Sequence, residues 1–387
     1  MNIAFVGLSG VPYLKRASDT RLISFAEAFV RNKNSVSIYN RAPSSKKKEG
    51  SQISMFGNEI KIFEVINHPK SSNKLVVLLV NILSYPIEFY RLIKENKKSK
   101  IHVLHIYSGH FFEYIHYYLL AKIIRAKTVY QYVEFRSAIE RRNLYHKING
   151  YLCDKIGIFM FDGIICISNY LENHVKKLTS MTPTIKIPPI CDFKFFDSVK
   201  KEQPHERYIL YCGSADYMEV IKIIIDAYEH SACPAHNIHL VLVISGSINN
   251  RENLKKLITS NKYIQLKSNL EYIDLIKQFK MAEALLIPLR NTIQDIARFP
   301  NKICEYTASE NVIITTHLGE IPYFFRDKEN ALIAHEFSQA LLTEKINWLV
   351  NNKPEAIKIR KNAFELGKEN FNIENYLSKL EDFINSL

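Results

Sequence analysis

RFPNKICEYTASENVIITTHLGEIP, residues 298–322, is the stretch whose reading decides the fold. A basic, proline-containing turn leads into a short helical pattern carrying one carboxylate, Glu305. Val312-Ile313-Ile314-Thr315-Thr316 then reads as a buried strand, because its β-branched residues run on without polar alternation. A small turn at Gly319-Glu320 follows.

Working outward, the same grammar repeats. Upstream, YILYCG (208–213), HLVLVISG (239–246), YIQLKS (263–268) and EALLIPL (283–289) read as strands, with helical patterns over 218–230, 251–260 and 271–280 between them. The first half opens in the same way. A strand at Ile3–Gly7 precedes a helix over Arg21–Asn32, with apolar residues at Leu22, Phe25, Ala26, Phe29 and Val30, and a strand at Val36–Tyr39. Further strands are expected at Ile101–Tyr107, Lys127–Val133 and Asp162–Ile167, and helices at Lys74–Lys98, Phe111–Arg125 and from Asn169. Alternating strands and helices imply parallel sheets covered by helices. SSKKKEG (44–50) reads as an exposed loop.

The chain has 387 residues, too many for one ordinary core, so two domains are expected. The proline-rich MTPTIKIPPICDFKFFD (181–197) marks the crossing between them. The division is therefore 1–200, 201–370 and a terminal segment 371–387, whose helix over Ile373–Leu387 packs back across the junction. With 47% hydrophobic residues the core can be large. Met1-Asn2 leads straight into Ile3–Val6, too short for a secretory leader, and the apolar run from Leu75 ends at Pro86, short of the roughly 20 residues a spanning helix needs. Six cysteines without a CxxC pair read as buried reduced thiols. His102, His105, His110 and His116 fall on different elements and form no metal-ligand pattern. The expected location is cytoplasmic.

Charge is uneven. Residues 1–200 hold 30 Lys and Arg against 15 Asp and Glu, whereas 201–387 hold 22 against 24. One basic half points to an anionic partner on that half: an anionic membrane surface or a phosphorylated acceptor. A nucleic-acid-binding protein is the rival reading; it would interleave aromatic residues with cations on one surface, and the strand-end motifs argue against it.

Ligands of open parallel sheets sit at the carboxyl ends of the strands, and two such halves can set those ends across a cleft. In 298–322, Phe299–Asn301 enters a helix, whose free N–H groups offer a seat for phosphate oxygens, with Arg298 and Lys302 adding charge. Glu305 lies one turn along on the face of Asn301, where a carboxylate can accept hydrogen bonds from vicinal ribose hydroxyls. The alternative is an ordinary helix N-terminus. In the first half, YQYVEFRS brings Glu134 and Arg136 to a strand end, as an acceptor-orienting pair or as a structural ion pair. Gly7–Gly10 permits close backbone approach but is not GxGxxG. Asp19 and Arg21 are acceptor-loop candidates.

Residues 298–322, together with YILYCGSADY (208–217) and LLIPL (285–289), resemble the nucleotide-binding half of a family 4 glycosyltransferase of GT-B fold. IAFVGLSGVPY and CISNYLENHV are similar, more loosely, to its opening loop and an acceptor-domain strand end. The resemblance implies two Rossmann-like doubly wound domains. It also implies transfer of a sugar from a nucleotide diphospho-sugar to a hydroxyl, with retention, without a metal and without a cofactor. Glu305 matches the ribose-holding second Glu of the family's E-x7-E motif. Three departures stand out: the first Glu falls at Ala297, and the usual diphosphate-clamping Arg and Lys fall at Ser214 and Glu219.

The implied donor site is Gly213, Ser214, Arg290, Arg298, Phe299, Asn301, Lys302 and Glu305, with Arg290, Arg298 and Lys302 left to neutralise the phosphates. The implied acceptor side is Gly10, Asp19, Arg21, Glu134 and Arg136, and Glu134 and Lys302 are the catalytic candidates. The expected setting is bacterial surface polysaccharide assembly on a glycan or lipid-linked acceptor, at the inner face of the membrane. The alternative, which the three departures favour, is a GT-B-like epimerase or a non-catalytic nucleotide-binding relative.

Overall fold

The computed structural model describes residues 1–9, 11, 17–42, 52–55, 58–66, 74–139, 143–259 and 261–387. The exposed loop read at 44–50, and Gly10, lie outside the described residues. The chain divides into two units, Met1–Pro188 with Ile373–Leu387, and Pro189–Asn372. The boundary falls at 188/189 rather than 200/201. Helical residues 193–198 and the bridge from Cys191 to Asn372 bind the stretch after Pro188 to the second unit.

The first unit runs β1 (Asn2–Ser9), α1 (Ala17–Arg31), β2 (Ser35–Ala42), β3 (Gln52–Met55), β4 (Asn58–Glu64), α2 (Lys74–Lys98), β5 (Val103–Ile106), α3 (Phe111–Ile124), β6 (Lys127–Tyr132), α4 (Leu144–Lys155), β7 (Gly163–Cys166), α5 (Asn169–Leu178) and β8 (Thr184–Lys186). Its sheet has the order β3-β4-β2-β1-β5-β6-β7-β8, parallel except for the β3–β4 hairpin. That hairpin and α4 did not stand out in the sequence. β5 and β7 are buried throughout, as strands covered on both faces are.

The second unit runs α6 (Phe193–Ser198), β9 (Arg207–Ser214), α7 (Met218–Glu229), β10 (Ile238–Ser245), α8 (Ile248–Ile258), β11 (Ile264–Lys267), α9 (Tyr272–Met281), β12 (Ala284–Ile287), α10 (Ile293–Ala297), α11 (Lys302–Ala308), β13 (Val312–Thr316), α12 (Ile321–Phe324), β14 (Leu332–Ala334), α13 (Gln339–Asn351) and α14 (Lys353–Asn370). Its all-parallel sheet has the order β11-β10-β9-β12-β13-β14. The core gathers Ile209, Leu240, Leu242, Leu286 and Ile314 from the strands with Ile221, Ile224, Leu342 and Ile346 from α7 and α13.

The last helix, α15 (Leu377–Asn385), belongs to the first unit. The carbonyl of Leu377 accepts a hydrogen bond from Asn32 Nδ2 (2.7 Å), and Glu381 accepts one from Asn34 Nδ2 (2.7 Å). Just before it, Arg31 pairs with Glu374 at 2.5 Å. The helix expected over Lys74–Lys98 forms as α2, 25 residues in all with Pro86 inside it; although the apolar run reads as ending at Pro86, the helix is long and apolar enough by length and composition to cross a membrane.

Candidate functional site

In the second unit the chain winds outward from β9 in both directions, so the switch point lies between β9 and β12, where ligands of such sheets bind. Three strand ends meet there. β9 ends in Gly213-Ser214. β12 leads into Pro288–Arg290. β13 ends in Thr316, whose hydroxyl accepts from Leu289 N–H (2.8 Å) and donates to Leu289 C=O (2.8 Å). That pair of bonds fixes the path of the loop carrying Arg290.

Two arginines share one carboxylate in this loop. Asp295 is fully buried. Arg290 reaches its Oδ2 with Nε (3.0 Å) and with its backbone N–H (2.9 Å), and Arg298 reaches its Oδ1 at 2.8 Å. Both guanidiniums lie over the Tyr217 ring, 5.5 and 4.9 Å from its centroid, and Arg298 donates to the Tyr217 hydroxyl (2.8 Å). Arg290 also meets Glu219 at 3.4 Å. Thr292 caps α10 by accepting from Asp295 N–H (3.2 Å). The cap places Asp295 in the first helical turn, between the two arginines. A buried carboxylate and an aromatic shelf hold two planar donor forks in fixed orientation, the geometry suited to a diphosphate.

Lys302 and Glu305 lie one turn apart on α11, 3.7 Å between their charged atoms. Glu305 is 3% exposed and accepts from the Tyr272 hydroxyl (3.0 Å). Burial opposes the charge on Lys302, but Cys212 and Glu305 beside it favour the charge, and the pKa is raised above the ordinary lysine value. Burial pushes the Cys212 thiol up, and Lys302 beside it acts in the opposite direction. Glu305 keeps further lone pairs beyond these two partners. Asn301 precedes α11 without a side-chain cap bond, and the N–H of Ile303 is already taken by the carbonyl of Pro300 (3.1 Å).

Three of the expected donor-site residues are engaged within the second unit itself. Phe299 is 2% exposed and stacks on Phe324 (5.4 Å, 13°) against Phe371, so its side chain is a packing group. At Gly213 a Cβ would lie 2.4 Å from the Tyr211 hydroxyl, so the glycine makes room for that ring. Ser214 is engaged by Asp216, accepting from its N–H (3.2 Å) and donating to its Oδ2 (3.0 Å).

In the first unit the winding reverses between β1 and β5. Gly7 has φ +82° there, and a Cβ on it would lie 2.7 Å from the Tyr107 carbonyl oxygen. Burial, and then the nearby Glu134 charge, push the Tyr107 hydroxyl up to about 12; Arg136, Arg21 and Asp19 also act on it. Glu134 and Arg136 form an ion pair at 3.4 Å. Gly109 lets the guanidinium lie where it does, since a Cβ would fall 2.4 Å from Arg136 Cζ. The buried Asp154 holds this loop by accepting from the N–H groups of Arg136 (3.2 Å) and Ser137 (2.5 Å).

Arg21 corrects an expectation. It is not an acceptor-loop cation but a buried tie in α1, 2% exposed. It donates to Gln131 (2.8 Å) and to the carbonyls of Ile187 and Pro188 (3.1 Å each). Asp19 is likewise buried, at 3%, in the first turn of α1.

Sequence reasoning missed Asp295, Tyr217, Tyr272, Tyr107 and Asp154. Only Asp295 carried a local signal, the T-x-x-D capping pattern of Thr292–Asp295.

Over its whole length the chain is similar in structure to sucrose-phosphate synthase from Thermosynechococcus elongatus (TM-score 0.77, 14% identity, 100% of this chain and 98% of that one). It is similar to Anabaena HepE in complex with UDP and glucose (TM-score 0.73, 14% identity, 100% of both chains). It is also similar to WaaG, a glycosyltransferase involved in lipopolysaccharide biosynthesis (TM-score 0.66, 13% identity, 99% of both chains). These likenesses make the fold GT-B. Residues 192–366, nearly all of the second unit, match the family described as Glycosyl transferases group 1. No curated protein sequence matches the chain.

Proposed function

We propose that the protein is a retaining family 4 glycosyltransferase, transferring a sugar from a UDP-sugar to a hydroxyl of a glycan or lipid-linked glycan in bacterial surface polysaccharide assembly. The observation that carries the proposal is the pair of arginines on Asp295 at the β9–β12 switch point, inside the stretch that matches the group 1 family. The uridine assignment draws on the structural relatives crystallised with UDP or UDP-glucose.

In this reading the bond between the sugar's anomeric carbon and the terminal phosphate oxygen breaks, and the acceptor hydroxyl oxygen takes the anomeric carbon on the same face. Arg290, Arg298 and Lys302 meet the charge growing on the leaving UDP, as preorganised donors do in electrostatic catalysis. They do so without calling on a metal ion. Glu305 holds the ribose. Glu134 orients the acceptor hydroxyl by accepting its hydrogen bond, and the hydroxyl proton passes to the leaving phosphate oxygen of UDP as the new bond forms.

Ala297, fully buried, supplies no carboxylate at the position of the first family Glu, which is the observation favouring a non-catalytic nucleotide-binding relative. Incubation with radiolabelled UDP-sugars, with and without glycan acceptors, separates the two. Acceptor-dependent release of UDP supports transfer. Tight UDP binding with no release under any acceptor supports the relative that only binds.

A further inference from the structure

Three neighbouring helices of the first unit turn their apolar side chains outward. On α2 the exposed residues are Leu75, Leu78, Leu79, Ile82, Leu83 and Tyr90, each more than half exposed, at i, i+3, i+4, i+7 spacing. Its inward face carries Ser84, Glu88 and Leu92 instead. This inverts the amphipathic pattern of a helix packed on a water-soluble sheet. On α3, Phe112, Leu119 and Ile123 are exposed while Glu113, Tyr114 and Tyr117 are buried. On α4, Leu144, Tyr145, Ile148 and Tyr151 are all more than half exposed. α2 meets α3 through Tyr85 and Phe112, ring centroids 5.1 Å apart, and α3 packs on α4. A contiguous apolar surface of this extent marks an interaction site.

Charge says what covers it. Every carboxylate on these three helices except Glu95 is buried: Glu88, Glu113 and Asp154. The exposed charges are cations, with Lys94, Lys97 and Lys98 on α2, Lys122 on α3, and Lys147 and Lys155 on α4. A second copy docked on this face would set cations against cations. A surface that takes apolar side chains at its centre and presents anions around them is an anionic lipid bilayer.

We propose that the outward faces of α2, α3 and α4 form a monotopic membrane-binding surface, with α2 lying in the lipid interface rather than crossing it. Only 17% of the apolar window of α2 is buried, yet its inner face is tied down by polar bonds. Glu88 accepts from the Tyr117 hydroxyl (3.0 Å), and the Tyr85 hydroxyl donates to Glu113 (2.9 Å). Arg91 donates to the carbonyl of Glu64 (2.5 Å). These bonds hold α2 flat on its unit. Tyr90, Tyr145 and Tyr151 then sit where amphipathic rings meet headgroups. Such docking places the protein beside a lipid-linked acceptor, but it stands whether or not the transferase reading holds.

Flotation of the full chain with vesicles tests this directly. Phosphatidylcholine vesicles containing phosphatidylglycerol should carry the protein up, and pure phosphatidylcholine should not. Replacing Lys94, Lys97, Lys98 and Lys122 by Gln should lower partitioning on the order of 1,000-fold. Lys100 is left in place because its ammonium caps the carbonyls ending α3. Replacing Leu79, Ile82, Leu119 and Ile123 by Gln should leave only weak binding that salt abolishes. All eight side chains lie on the surface, so circular dichroism melts should match the parent. The proposal is overturned if the parent does not float, or if both variants float as the parent does. A parent that is a dimer by light scattering, and that the apolar variant turns into a monomer, would assign the face to a second copy. Because vesicle binding is read without nucleotide, its failure is distinct from failure of the donor site.

Discussion

Arg298 lies 2.8 Å from Asp295, and the carboxylate it grips is wholly shielded from water. Arg290 lies on the same carboxylate, so two cations share one buried anion, and Arg290 also meets the exposed Glu219. The second unit therefore holds two guanidiniums in fixed orientation with their mutual repulsion already relieved.

Asp295→Asn should be costly, since it leaves two half-buried guanidiniums without their anion. A loss of about 3–5 kcal/mol is expected in urea unfolding. UDP should restore more stability to this variant than to the parent, because its diphosphate replaces the missing charge. Equal stabilisation of both proteins by UDP would remove the diphosphate from this site.

Glu305→Gln keeps an acceptor for Tyr272 and removes the charge. Calorimetric titration with UDP should show a loss of roughly 1.5–3 kcal/mol, with a lowered melting point because Lys302 loses the anion beside it. Unaltered affinity would end the ribose assignment.

Lys302→Ala should weaken UDP far more than uridine, because the lysine acts on phosphate oxygens. Parallel titrations with the two ligands check this. Equal loss for both would show that Lys302 serves only to neutralise Glu305 within α11.

His105 makes the first unit sensitive to acid. Burial, with Arg21 nearby, lowers its pKa to about 3. Its Nε2 accepts from Gln131 (2.8 Å), and its ring stacks on Phe5 at 4.3 Å. The unfolded chain binds this proton below about pH 6.5 and the folded chain does not, so the stability His105 contributes is full above that value and is lost as pH falls toward about 3. Between pH 6.5 and 5 the loss should be roughly 2 kcal/mol. Denaturant melts across that range should show the slope, and His105→Gln should flatten it. The same slope in the variant would place the acid sensitivity elsewhere.

The sequence by itself determined the alternation of strands and helices and the parallel sheets. Ala284–Ile287 and Val312–Thr316 could be read as strands because burial on both faces leaves no room for polar alternation. It also held the Thr292–Asp295 cap, since capping is a local bond between residues three apart. Even so, α13 and α14 did not stand out. The apolar positions of α14 are sparse, and it has Pro354 in its first turn.

Tertiary structure alone decided what each side chain meets. Arg21 reads as a surface cation, yet its partners are Gln131, Ile187 and Pro188, more than 100 residues away. Phe299 sits inside a basic turn and still points into an aromatic cluster. The apolar run of α2 was visible in the sequence, but such a run is the same whichever face turns inward. Which face does so depends on Tyr117 and Glu113 of α3 and on the carbonyl of Glu64, and these bind Glu88, Tyr85 and Arg91 only once the chain has folded. Backbone geometry sets a helix's period locally; partners brought from far along the chain set its orientation.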